Sequence, residues 1–222
     1  YQEKIRNWIN YETYFDDYCK QGALPASLEN ANMKAIVERI IEYDLVRYAK
    51  LSWEEIIDVK KMFLFIANST PEKLSYSEIS KNIGITKYRA EKYVKLLSDC
   101  FLLYVLKPIG RNVMKEPKIY ITLPFRAHFS SLPENLLVGS IREEFFMMNM
   151  ISADKDIRYV KGRRGEKDPD FYINKTIFEI GGKGKSRTQF KGVKYEKKIV
   201  ATYPGRYDKG YIPLISFGML CR

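Results

Sequence analysis

The sequence predicts an α plus α/β chain: a helical first half that closes with a helix-turn-helix unit, followed by an α/β second half. Apolar residues recur at helical spacing through the first hundred residues, as in Ile36, Ile40, Ile41 and Leu45. Two capped helices flank Gly84, with Ser75 and Thr86 at their starts. Beyond about residue 117, short apolar runs bounded by turn residues follow one helix, which is α/β grammar.

Bulk properties bound what the chain does. At 222 residues it is long enough for two domains of about 100 residues, each with its own core. Its formal charge is +11, from 38 Lys and Arg against 27 Asp and Glu. Residues 150–222 hold 17 of the bases and 8 of the acids, a surplus of +9, so the excess sits in the last third. Such asymmetry points to an anionic partner, nucleic acid first, through phosphate neutralisation. Cys19, Cys100 and Cys221 are widely spaced and odd in number, which reads as reduced thiols in a cytoplasmic protein. No apolar run nears the roughly 20 residues that span a bilayer, and no signal peptide is recognisable. The chain opens at Tyr1 directly with helical residues and reads as a piece of something longer.

Three zones follow. Residues 1–57 are a helical scaffold, with helices expected over Tyr11 to Lys20 and Ala31 to Lys50 and a break at Gly22 and Pro25. Residues 58–116 begin with a helix burying Val59, Met62, Phe63 and Ile66, stopped by Asn68-Ser69-Thr70-Pro71. A second helix opens with the capping box Ser75-Tyr76-Ser77-Glu78 and ends at Gly84. Thr86 caps a third, whose Ala90, Tyr93, Val94 and Leu97 form a buried stripe. A strand at Phe101 to Leu106, a basic stretch from Lys107 to Lys118 and a return strand at Ile119 to Leu123 complete what looks like a winged helix. On its third helix Lys87, Arg89, Lys92 and Lys95 lie off the buried stripe, as phosphate and groove contacts would.

Residues 117–222 form the α/β zone. Gly139 is expected to open a helix that carries Glu143, and strands are expected at Ile157 to Lys161, Phe171 to Ile173, Thr176 to Ile180, Lys198 to Thr202 and Tyr211 to Ser216. Asn174-Lys175 is the two-residue turn of a hairpin that brings Asp170 and Glu179 together at one end. A basic helix or loop, Ser186 to Glu196, includes Arg187. The two convergent carboxylates, Asp170 and Glu179, are what a hard cation such as Mg²⁺ requires of a protein.

Asp168-Pro169-Asp170-Phe171 and Glu179-Ile180-Gly181-Gly182-Lys183 resemble the PD-(D/E)xK nuclease motif, which makes the α/β zone restriction-endonuclease-like. The resemblance implies Glu143, Asp170 and Glu179 as metal and catalytic residues. That family's lysine, two residues after the second acid, falls on Gly181, leaving Lys183 as the catalytic candidate, or Lys185. Lys185 and Arg187 are also candidates for nucleic-acid contact. Over nearly the whole chain the sequence is similar to the region after the P-loop domain in a prokaryotic family of AAA-type ATPases. Phe15-x-x-Tyr18-x-x-x-Gly22-x-x-Pro25, Pro117-Lys118-Ile119-Tyr120 and Gly139-x-x-x-Glu143 carry that likeness with the motifs above. Many members have an aspartate where Leu123 stands. The resemblance implies an ATPase domain outside this chain as a partner. ATP belongs there: Gly182-Lys183-Gly184-Lys185-Ser186 would need glycine at Glu179 to form a phosphate-binding loop.

Two functions are expected to compete. One is a regulatory module of an ATPase that holds DNA or a protein without cutting, Gly181 having removed the catalytic ammonium. The other is a Mg²⁺-dependent endonuclease in which Lys183 or Lys185 has migrated into place; a purely protein-binding domain stands behind both. No cofactor is firmly implied; Mg²⁺ belongs to the endonuclease alternative. His128, the single histidine, anchors no His-based chemistry. The 17 Tyr and 12 Phe are expected mostly in cores, with some free to stack on bases.

Overall fold

Capping chemistry sets the helices of the first half. The computed structural model describes residues 12–22, 24–29, 31–109, 116–160, 169–190 and 197–219. Helix α1 (Glu12–Asp17) runs into a π turn at Tyr18–Gly22, and α2 (Pro25–Leu28) is a single turn. Asn32 then accepts from the backbone of Lys34 and Ala35 to start α3 (Met33–Arg39). A π turn at Ile40–Asp44 joins α3 to α4 (Leu45–Ala49), which ends where Lys50 takes a left-handed backbone, φ 51°. Met33, Val37, Ile41 and Leu45 form the buried stripe; Ile36 and Ile40, expected inward, are only half buried.

Helix α5 (Trp53–Ala67) opens with a full capping box between Ser52 and Glu55. Helix α6 (Tyr76–Ile83) shows only half of the expected box: Ser75 Oγ accepts from Glu78, whose side chain lines a neighbouring cleft and does not return the bond. Gly84 ends α6 at φ 79°, a conformation open to glycine, and Thr86 caps α7 (Lys87–Asp99). Val59, Met62, Phe63 and Ile66 of α5 meet Ala90, Tyr93, Val94 and Leu97 of α7 in one buried cluster, as the spacing predicts.

Strand β1 (Leu103–Leu106) pairs antiparallel with β2 (Lys118–Ile121). β1 starts later than expected because Phe101 has φ 58° and is exposed, the chain turning there before it extends. Of the basic stretch between the strands, residues 110–115 lie outside the described residues. Helix α8 (Phe125–Phe129) follows, then α9 (Glu134–Ser152). The long helix starts after Pro133, so Gly139, expected to open it, lies inside it.

The second half is a four-stranded sheet ordered β3 (Phe171–Ile173), β4 (Thr176–Gly181), β5 (Lys197–Thr202), β6 (Tyr211–Pro213). β3 and β4 are an antiparallel hairpin whose turn residues Asn174 and Lys175 both have positive φ, as a two-residue turn requires. β5 pairs parallel with β4, and β6 parallel with β5. Of the strand expected from Ile157 to Lys161, the described residues show single bridges, Arg158 to Tyr172 and Tyr159 to Pro108, and Lys161 lies outside them. The last strand also ends early, at Pro213, and Leu214–Met219 form a 3-10 segment. Phe145, Phe146 and Met150 of α9 pack on Phe171, Phe178 and Ile180 of the sheet in a second cluster. Phe15 and Cys19 from the N-terminal helical segment join that cluster, Phe15 stacking at 4.0 Å on Tyr203. No helix among the described residues is long and apolar enough to cross a membrane.

Candidate functional site

The hairpin places Asp170 immediately before β3 and Glu179 within β4, beside α9, which carries Glu143. Asp170 is 4% exposed and its Oδ2 accepts from the backbone of Ile180 at 2.7 Å. Glu143 is half buried, and Tyr120 on β2 donates its hydroxyl to Glu143 Oε2 at 3.3 Å. Glu179 is 2% exposed; Lys185 lies 2.5 Å from Oε1, and Oε2 has no hydrogen-bond partner.

A third acid completes a cluster. Carboxylate oxygens of Glu72, Glu143 and Asp170 lie within 4.8 Å of one another. The expected third member, Glu179, is turned to Lys185 instead. Glu72 sits on the exposed middle of a 3-10 turn, Pro71–Lys73, that packs against β2. Nothing local in the sequence marks it: Pro71 reads only as a helix stop.

Burial dominates the electrostatics. It raises the carboxyl of Glu143 well above the ordinary range, with Asp170 adding to the effect. Asp170 is raised by burial too, against the pull of Lys185 and the Ile180 amide. Glu179 is pushed up to about 7 by burial and by Asp170, with Lys185 opposing. The ammonium of Lys185 is held above its usual value: burial works against it, but Asp170, Glu179 and Glu143 outweigh that cost. Lys118, at the start of β2, lowers all three acids and lies over the Tyr159 ring at 5.6 Å. A cleft of about 530 Å³, lined by Glu72, Lys118 and Tyr159, opens beside the cluster.

The lysine beside the carboxylates is therefore Lys185, the second of the two candidates, and Lys183 is not brought to them. Lys183 is exposed on the turn after β4, whereas Lys185 folds back over Gly181. A Cβ on Gly181 would stand 2.7 to 2.9 Å from the Cδ, Cγ and Cβ atoms of Lys185, so the glycine leaves the space this stem occupies. The departure at Gly181 and the placement of Lys185 are one feature.

The basic residues assigned to nucleic-acid contact are mostly engaged. Lys87 pairs with Glu116 at 2.5 Å, Lys92 with Glu55 at 2.9 Å and Lys95 with Asp99 at 2.6 Å. Arg89 remains exposed. Arg187 is exposed, donates to Lys209 O at 3.4 Å and lies over Phe190. His128 Nε2 sits 3.0 Å from Lys20 O. Burial raises the thiol of Cys19 far above its ordinary range. Asp168 and Cys221 lie outside the described residues.

Comparison with known proteins adds a family without a function. The chain is 25% identical over 207 residues to uncharacterized protein MJ1637 of Methanocaldococcus jannaschii, covering 82% of this chain and 44% of the relative. The chain thus spans less than half the length of that relative. No solved structure matches it. A model of a domain of unknown function, DUF8612, matches residues 12–123, half of the chain, including Glu72 and Lys118 and stopping short of Glu143, Asp170, Glu179 and Lys185; the chain belongs to that family.

Proposed function

We propose that the second half of this chain is a divalent-cation-dependent phosphodiesterase of the PD-(D/E)xK nuclease kind, carried by a larger protein. The observation that carries the reading is Lys185 on Glu179, with its stem across Gly181. The order of elements supports it: a helix with an inward acid, a bridged segment, an antiparallel hairpin bearing Asp170 and Glu179, then a parallel strand. The first half, with α5 to α7 followed by the β1–β2 pair, is proposed as a winged helix. Since three of the four basic residues on α7 are ion-paired, its role is proposed as a spacer or protein contact. The resemblance to AAA-type ATPases places the ATPase domain, in this reading, in the part of the full protein beyond this chain.

The residues fit a hard cation. Glu143 and Asp170 offer oxygen donors that converge, and Glu179 keeps a buried oxygen without a partner. When bound, Mg²⁺ would lower the pKa of a coordinated water and screen the phosphate charge. Glu143 and Asp170 would hold it, with Tyr120 fixing the orientation of Glu143 through its hydroxyl. The ammonium of Lys185, kept charged by its carboxylate neighbours, would stabilise negative charge developing on the phosphate. Lys118 supplies a second positive charge next to the cleft, where a nucleic-acid backbone would enter.

Incubation of the chain with supercoiled plasmid and with single-stranded DNA and RNA, in Mg²⁺ or Mn²⁺, tests this. Cleavage that EDTA stops and that Asp170→Asn and Lys185→Met abolish is the expected result. Cleavage that survives both substitutions, or no cleavage of any substrate with either metal, overturns the reading.

A further inference from the structure

We infer that Glu72 is a ligand of the same cation, so that the metal site is shared between the helical half and the sheet. This rests on the cation-dependent reading above and extends it to a residue outside the nuclease-like motifs. Glu72 brings a carboxylate oxygen within 4.8 Å of oxygens on both Glu143 and Asp170, a spacing at which ionised carboxylates repel and which a bound cation would relieve. A second observation points to a ligand next to Asp170. Glu179, whose carboxyl Asp170 helps push up, is 2% exposed, and its buried Oε2 has no partner.

Glu72 is not on a loose tail. Pro71 and Leu74 on either side are buried, and Leu74 closes the turn by donating to Pro71 O at 3.3 Å. The chain leading in is fixed as well: buried Arg126 donates to Ser69 O at 3.0 Å and to Ala67 O at 2.8 Å, while its Nε donates to Glu144, the neighbour of Glu143 on α9. One guanidinium therefore sets the distance between the strand of chain bearing Glu72 and the helix bearing Glu143. The occupant is a small hard cation, Mg²⁺ or Mn²⁺, because every donor is a carboxylate oxygen. Its binding would tie the helical half to the catalytic sheet, and a movement of the first half would open the site.

The test is direct Mn²⁺ binding, read from the loss of the free-Mn²⁺ paramagnetic signal, for the unaltered chain, Asp170→Asn, Glu72→Gln and Glu72→Asp. Each variant is melted to verify folding; Glu72 is exposed, so its variants should melt as the parent does. The expected result is that Asp170→Asn abolishes binding and that both Glu72 variants weaken it on the order of tenfold or more. The aspartate variant separates ligation from mere field, since it keeps the charge but shortens the reach. If Glu72→Gln binds as the parent, or Glu72→Asp retains parental affinity, Glu72 is not a ligand and the inference fails while the nuclease reading stands. If the parent chain binds no Mn²⁺, the cation reading itself fails and this inference goes with it.

Discussion

The stem of Lys185 lies across Gly181, with the ammonium 2.5 Å from Glu179, so the glycine that stands where the resembled motif has lysine leaves room for Lys185. Gly181 is in β4 with no positive φ, and its backbone suits any residue. Its lack of a side chain matters for space alone. Gly181→Ala should therefore leave stability within about 1 kcal/mol of the parent yet displace Lys185 from Glu179. Cleavage should fall on the order of 100-fold, the scale of losing one charge-stabilising donor. Lys185→Ala should fall as far, and adding Gly181→Lys to it should recover activity by restoring a lysine two residues after the acid. Wild-type cleavage by Gly181→Ala would show that the crossing has no catalytic meaning.

Arg126 and Glu144 form a fully buried ion pair at 2.7 Å that joins α8 to α9. Glu144 also accepts from Ile121 N at 3.1 Å, while Arg126 reaches Ala67 and Ser69. Removing one partner leaves the other charge buried, a loss of about 3 to 5 kcal/mol. Arg126→Met should thus destabilise strongly in thermal or urea unfolding. Arg126→Met with Glu144→Met should be less damaging than Arg126→Met alone, because no unpaired charge remains. A double variant as unstable as the single would mean that the backbone bonds to Ala67 and Ser69, and not the pair, carry the effect.

Local signals were legible where local chemistry decides the structure. The stripes of α5 and α7, the Gly84 and Thr86 caps and the Asn174-Lys175 turn stand as their residue patterns predict. Strand ends were not, because tertiary contacts set them: Phe101 turns outward, and Pro213 hands over to a 3-10 segment. At the site, Asp170 and Glu179 were legible from the hairpin, and Glu143 from its place on the helix. Glu72 and Lys118 were not, since each reaches the cluster from the other half of the chain through packing of the 3-10 turn on β2. The pairing of Lys87 and Lys92 with Glu116 and Glu55 likewise depends on partners outside α7, whereas Lys95 and Asp99 are an i, i+4 pair on that helix.

Metal-free stability should peak near pH 5 and fall toward neutrality. Glu144 and Glu179 are both raised to about 7 in the folded chain, chiefly by burial, against an ordinary value of 4.5. Between these limits the folded state binds more protons than the unfolded state, so raising the pH through that window destabilises it, by at most about 3 kcal/mol per group. Glu116 acts oppositely: Lys87 and Ser77 hold it down to about 2, so its contribution is lost only as pH falls below about 4.5. Unfolding midpoints measured in EDTA from pH 4 to 8 should show this asymmetric dome. Glu179→Gln should flatten its neutral limb, and millimolar Mg²⁺ should raise the midpoint most at pH 7 and above, since a cation binds the ionised carboxylates. A metal-free midpoint that stays level from pH 5 to 7.5 would mean that these acids are ionised in the folded chain without a cation, and that the cluster is solvated more fully than its burial implies.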